Sequence, residues 1–220
     1  MKEPRPILML GTDLNAPGGI SSVLRAYRQG GLEQQWPLVM MATWKTGSPP
    51  RRMAAAAAAW ISFIRMALAS PGLQAVHAHA AARGSLWRKS LFLIPAKWMG
   101  IRCILHLHDG SFMPWYSRQW APIQALIRKL LRTMDTVIVL SPYWHQIFHE
   151  LEPAAHWSVL PNPVSVCSTP ARPLRGRLLF VGQLTMGKGI GDLLHALALC
   201  VRRHSSMHLI FAGDGDTQVV

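Results

Sequence analysis

Two hydrophobic rhythms alternate along this chain. Short apolar runs are followed by longer stretches in which apolar residues return every three or four positions. The runs at residues 6–10, 38–43, 75–78, 103–108, 136–140 and 157–160 read as strands. Residues 136–140, TVIVL, are apolar without a break apart from the leading threonine, the form of a strand buried on both faces. The periodic stretches at 20–29, 51–69, 85–99, 122–134 and 141–151 read as helices. In the alanine-rich stretch 51–69, Trp60, Phe63, Ile64, Ala67 and Leu68 fall on one helical face and predict a core-facing stripe. Pro95 predicts a kink or a restart in the stretch 85–99, and Ser141-Pro142 predicts a capped helix start. Strands that alternate with helices throughout predict an α/β protein with parallel sheets.

The same alternation resumes late. Residues 178–215 read as strand, glycine-rich turn with a lysine, helix, strand. Between the two regions, around 164–175, lies a Pro- and Ser-rich segment without periodicity. This predicts a first domain over 1–165, a linker over 166–175 and one βαβ unit over 176–220. One such unit cannot cover both faces of its own sheet, so the expectation is a second domain that is incomplete, a chain cut short after its phosphate-binding turn.

Composition narrows the function classes. Of 220 residues, 50% are apolar and 15% charged, which excludes wholesale disorder. The three cysteines, Cys103, Cys167 and Cys200, are far apart, which argues against a disulfide framework or a zinc ribbon and fits a reducing compartment. No leader peptide is recognisable at the start. The longest apolar run, residues 53–64, falls short of the roughly 20 residues a spanning helix needs.

Net charge is +13, and between Arg51 and Arg132 twelve Lys and Arg face a single acid, Asp109. Such a surface attracts polyanions: phosphorylated substrates, anionic lipid or nucleic acid. No nucleic-acid recognition motif accompanies it, which sets nucleic acid aside. The stretch 85–99 places Trp87, Leu91, Ile94 and Trp98 on one stripe, with Arg88, Lys89 and Lys97 beside it. With Arg128, Lys129 and Arg132 it has the composition of a helix lying on an anionic membrane surface. The competing reading makes the stripe core and lets only the charges face water.

Three features carry chemistry. Gly182 and Gln183 follow a strand, and Lys188 precedes the next helix; backbone amides at a helix start beside an ammonium suit a diphosphate. The spacing is neither GxxxxGK[ST] nor GxGxxG. Gly18 and Gly19 follow the first strand and would let a ligand approach the backbone. His77/His79 and His106/His108 are two His-x-His pairs at strand ends, where α/β sheets bind ligands. His108 is the best candidate for an imidazole working at a sugar hydroxyl, with Asp109 or His79 orienting it. A metal site is the alternative, disfavoured because no carboxylate cluster accompanies the pairs. His77 and His106 are expected to be satisfied histidines packed under helices.

Taken in order, PGGISSVLRAY, VHAHAAARGSLWRKSLFLIPAKWMGIRCILHLHDGSF, TVIVLSPYW, VLPNPV and FVGQLTMGKGIGDLLHALA with LIFAGDGD resemble glycosyltransferase family 4 of the bacterial polysaccharide-biosynthesis type. The resemblance implies a GT-B fold: a Rossmann-like acceptor-side domain and a donor-binding domain. It implies a nucleotide-diphospho-sugar donor, a glycan or lipid-linked acceptor and a retaining transfer that needs no metal or other cofactor. It implies an enzyme in the cytoplasm, peripheral on the inner face of the plasma membrane. By motif match Gly18, Gly19, Gly182, Gln183 and Lys188 would lie at the donor phosphates and His108 at the transferred sugar. Gln183 stands where the family commonly has arginine, and an amide lacks the charge and bidentate fork of a guanidinium. The family's late pair of donor-binding glutamates has no counterpart. An inactive, membrane-associated fragment, a sugar-nucleotide epimerase and a metallohydrolase are the competing functions.

Overall fold

The computed structural model describes residues 5–69, 72–164, 172–203 and 206–215. Most of the expected linker, and Cys167 with it, lies outside the described residues. The chain divides into two compact units, Met1–Ser165 and Val166–Val220.

The first unit is an α/β sandwich around six strands: β1 (Ile7–Gly11), β2 (Leu38–Ala42), β3 (Ala75–Ala80), β4 (Arg102–Leu107), β5 (Thr136–Val139) and β6 (Trp157–Val159). All neighbours pair in parallel, in the order β2-β1-β3-β4-β5-β6. The chain runs outward from β1 to β2, then returns to the other side of β1 for β3. The order therefore reverses between β1 and β3, and a doubly wound sheet opens its ligand crevice at such a point, beyond the carboxyl ends of the strands.

The helices are α1 (Gly19–Gln29), α2 (Leu32–Gln35), α3 (Pro49–Leu68), α4 (Gly84–Trp98), α5 (Phe112–Ser117), α6 (Ala121–Thr133) and α7 (Pro142–Leu151). The short α2 and α5 carry too few residues to show a period, so the sequence pattern missed them. One sheet face, Leu8, Leu10, Val76, Ala78, Cys103, Leu105, Val137 and Val139, forms a single core with Phe63 of α3, Leu86 and Leu93 of α4, Ile127 and Leu131 of α6, and Phe148 of α7. The opposite face carries Met9, His77, His79 and His106. Ser141 caps α7 as expected, its hydroxyl accepting from the Trp144 amide at 3.3 Å.

Within α3, Phe63 is fully buried and Ile64 and Ala67 pack against the core, while Leu68 at the end of the stripe is 70% exposed. In α4 the buried face is Leu86, Lys89, Ser90, Phe92, Leu93 and Ala96; of the tryptophan stripe, Leu91 and Trp98 point outward while Trp87 and Ile94 pack partly against the core. Pro95 neither starts nor ends α4; it sits inside the helix. Proline lacks the N–H that would bond the carbonyl four residues back, that of Leu91. The Trp60 indole N–H of α3 takes that carbonyl at 3.3 Å.

The second unit is smaller. Strands β7 (Arg177–Val181) and β8 (His208–Ala212) pair in parallel around a 3-10 turn, Met186–Lys188, and helix α8 (Ile190–Val201). Gly189 caps α8 at φ 77°, a left-handed conformation that disfavours any residue with a Cβ.

The Trp60–Leu91 bond predicts a coupling. Pro95→Ala should stabilise the fold, by less than the roughly 3 kcal/mol of an unserved interior proline. Trp60→Phe should cost about 1 kcal/mol in the native chain and much less in the Pro95→Ala background, where the alanine supplies its own N–H. Strictly additive urea-unfolding energies for the two substitutions would disprove the exchange of donors.

Candidate active site

The crevice between β1 and β3 is built from the loops that follow β1, β3 and β4. After β1, Gly18 has φ 131°, and a Cβ on either Gly18 or Gly19 would meet nothing within 4 Å. The space above this loop is open to a ligand. Helix α1 begins at Gly19 with no side chain capping its first amides, which leaves its positive end free for an anion. Beside the loop a cleft of about 480 Å³, lined by Asp13, Asn15, Arg28, Met40, Lys45 and Ser62 among others, runs along the ends of β1 and β2.

Parallel register sets His79 directly opposite His106. His77 and His79 lie two apart on β3, and His106 and His108 two apart at the end of β4, so all four rings share one face. They stack in a ladder with centroids from 4.1 to 5.6 Å apart. The inward ring atom His79 Nδ1 lies 2.8 Å from His108 Nε2. Tyr27 of α1 covers the ladder, its ring 6.0 Å from His79. The expectation that His77 and His106 are satisfied fails: His77 Nε2, His79 Nε2, both nitrogens of His106 and His108 Nδ1 are buried without a partner among the described residues.

Burial controls the protonation of these rings. It lowers His77 to about 4, with repulsion from His108 adding to it. It lowers His106 to about 3, helped by His108 and His77, against a smaller opposing pull from the Leu160 carbonyl. His108 falls to about 4, the Asn162 side chain resisting. His79 is pushed well below the ordinary value by burial first, then by His77, His106, His108 and Lys89. All four imidazoles are neutral at pH 7, able to donate or accept one proton each.

Asp109 does not touch His108. Its Oδ2 accepts from the Ala82 amide at 3.0 Å and its Oδ1 from the Ser111 amide and hydroxyl at 2.8 and 2.7 Å. The carboxylate ties the β3–α4 loop to the turn after β4; His79 is the residue against His108.

Lys89 is the larger correction. Expected at a membrane surface, it is 1% exposed. From α4 its ammonium donates to the Gly11 carbonyl at 2.9 Å and also to the Thr43 hydroxyl, joining the carboxyl ends of β1 and β2. Burial, with the Arg88 charge second, lowers it to about 7. Helical spacing had placed Lys89 between the apolar stripe and water; no sequence signal says that its stem is long enough to reach across the sheet edge. Nor does any local pattern warn of Arg83, an exposed residue with φ 62° and ψ −135° just after β3. A non-glycine residue in that region stores backbone strain of about 1–3 kcal/mol, and such residues gather at functional sites.

Of the other expected surface cations, Lys97 pairs with Asp135 at 2.6 Å and Arg128 with the buried Glu152 at 3.0 Å. Arg132 reaches the same carboxylate at 3.7 Å. Arg88 is partly buried, and Lys129 is exposed with no ion pair among the described residues. Trp87 is half-buried against the core. In the second unit, Gly182 follows β7 directly, while Gln183 and Lys188 are both exposed.

Residues 12–163 match the model of the glycosyl transferase 4-like domain, spanning the crevice, the histidine ladder and all but the first strand of the sheet. The chain belongs to this glycosyltransferase family. No curated protein matches it. The α/β fold with its six-stranded parallel sheet is the Rossmann-like architecture expected of an N-terminal glycosyltransferase domain.

Lys89 binds a proton less tightly folded than unfolded. Between about pH 7 and its ordinary value of 10.5, the unfolded chain carries more protons, so stability rises with pH across that window and the cost is complete below it. Lys89→Met should remove this rise, at most about 1.4 kcal/mol per pH unit, when urea unfolding is followed from pH 7 to 9.5. Equal slopes in both proteins would show that the ammonium is not desolvated.

Proposed function

We propose that this glycosyltransferase-family chain serves transfer of a hexosyl unit from a nucleotide-diphospho-sugar to a growing, lipid-linked glycan, with retention and without metal or other cofactor in the transfer step. The observation that carries the reading is the family match over residues 12–163, which take in the open Gly18-Gly19 loop, the uncapped start of α1 and the neutral imidazole pair at the strand ends. Amides at the start of α1 suit the donor phosphates. His108 Nε2 is held by His79, and the remaining nitrogen, the unpartnered Nδ1, is assigned to a hydroxyl of the transferred sugar, reached once the ring or the loop over it shifts. The mixed-charge cleft with Asp13, Arg28 and Lys45 suits acceptor hydroxyls.

In the second unit the exposed Lys188 ahead of α8 is assigned to the departing diphosphate, whose growing charge an ammonium stabilises. We propose the domain division 1–165 and 176–220 with a linker at 166–175. Calorimetric titration with UDP, ADP and GDP tests the donor reading. Lys188→Ala should weaken whichever diphosphate binds by about tenfold, and Gln183→Arg should strengthen it by a similar factor. If no diphosphate binds, or if neither change alters binding, the assignment of the loop is wrong.

Membrane association is proposed on the outward stripe of α4. Trp60, Trp87, Leu91, Ile94, Trp98, Leu126 and Leu130 line an apolar groove of about 520 Å³, with Arg88 on its rim and Lys129 beside it. Trp98 is 83% exposed and Leu91 61%. Aromatic and aliphatic side chains edged by cations match the interface of an anionic bilayer, which fits an enzyme peripheral on the cytoplasmic face. No helix among the described residues is long and apolar enough to cross a membrane. Leu91→Ser/Trp98→Ser should reduce co-sedimentation with phosphatidylglycerol vesicles several-fold at unchanged thermal stability. Undiminished co-sedimentation would move the contact elsewhere.

A further inference from the structure

We propose that His77, His79 and His106 form a binding site for one divalent transition metal ion, zinc by the match of ligand type, on the sheet face opposite the main core. Each of the three offers a ring nitrogen, and these atoms lie within 4.8 Å of one another. Tetrahedral zinc with Zn–N bonds of about 2.0–2.1 Å sets its ligand atoms about 3.4 Å apart. The rings lie nearly face to face, His77 and His106 at 11°, so closing around an ion requires them to turn until the three in-plane lone pairs converge.

Unmet hydrogen bonding is the first argument. His77 Nε2, His79 Nε2 and both nitrogens of His106 are buried with no partner among the described residues. Buried polar atoms are nearly always paired, so four orphans in one cluster call for a ligand. The Leu160 carbonyl pulls on His106 without reaching hydrogen-bond geometry, and the nearby charged groups are engaged elsewhere. The Lys89 ammonium is engaged by the Gly11 carbonyl and Thr43, and Asp109 is engaged by Ala82 and Ser111.

Geometry supplies the second. His79 Nδ1 lies 2.8 Å from His108 Nε2, which leaves the other nitrogen of His79, the buried and unpartnered Nε2, for an ion. A metal-ligating imidazole has this arrangement: one nitrogen meets an outer partner, the other binds the ion.

Three imidazoles without a carboxylate select zinc, nickel or copper over calcium or magnesium. His77 is only half-buried and provides the way in. The inference does not depend on the sugar-transfer reading, and the ion would sit on the sheet rather than at the diphosphate.

The test titrates zinc chloride into the EDTA-treated, dialysed full chain by calorimetry, beside His77→Gln, His79→Gln and His106→Gln. His145 and His149 of α7, stacked 5.9 Å apart one helical turn from each other, are the rival surface site. The expected result is one zinc per chain, affinity reduced at least about tenfold in each of the three variants, and no change in His145→Ala/His149→Ala. X-ray absorption of the zinc-loaded wild-type chain should count three imidazoles, a readout that stands even if a variant fails to fold. Absence of stoichiometric zinc, binding that survives the three substitutions, binding lost with His145 and His149, or fewer than three imidazoles in the spectrum would each overturn the proposal.

Discussion

The parallel pairing of β3 with β4 brings His79 level with His106, and the rest of the crevice is arranged around that register. Two His-x-His strands aligned in this way put four imidazoles on one face, within stacking distance. A slip of β4 by one residue would turn His106 and His108 into the opposite, aliphatic layer. The aliphatic layer resists this: Val76, Ala78, Cys103 and Leu105 are fully buried there, and exchanging them for imidazoles would strand polar atoms among Phe63, Leu86 and Leu93. The core on one face thus enforces the polar ladder on the other.

Lys89 completes the edge. A buried ammonium is costly unless its donors are met, and two of them are met by groups at the ends of different strands. The same contact that makes the lysine tolerable in the interior therefore joins β1 to β2 just where the loop toward Gly18 leaves the sheet. Arg83, strained immediately after β3, and Asp109, tying that loop to the turn after β4, act on the neighbouring connections. Sheet, loops and helix starts are thereby held at one rim.

The outer face obeys a different balance. Lys97, Arg128 and Arg132 share two carboxylate partners, Asp135 and Glu152, so the cations on this part of the surface are locally neutralised while most of the basic excess between Arg51 and Arg132 remains. What remains outward on α4 is apolar rather than cationic, with Trp98 and Leu91 in water. Burying that groove against an interface gains from area first and from charge second.

The sequence determined the alternation of strands and helices, the α/β class, the cap at Ser141 and the family, because these depend on local spacing and on residue types in order. It also brought out the histidine pairs, since His-x-His is visible in one strand. Tertiary structure alone decided which face of α4 turns inward. Leu86 and Leu93 outcompete the tryptophan stripe for the sheet, a contest that period cannot score because both faces of the helix are apolar. Tertiary structure likewise decided that Lys89 crosses a sheet edge, that Asp109 binds backbone and not His108, and that the four histidines meet with five ring nitrogens buried and unpartnered among the described residues. Each of these depends on a contact between residues at least 27 positions apart, Ala82 with Asp109, His79 with His108 and Gly11 with Lys89, and strand register, which no local pattern encodes, is what sets such distances.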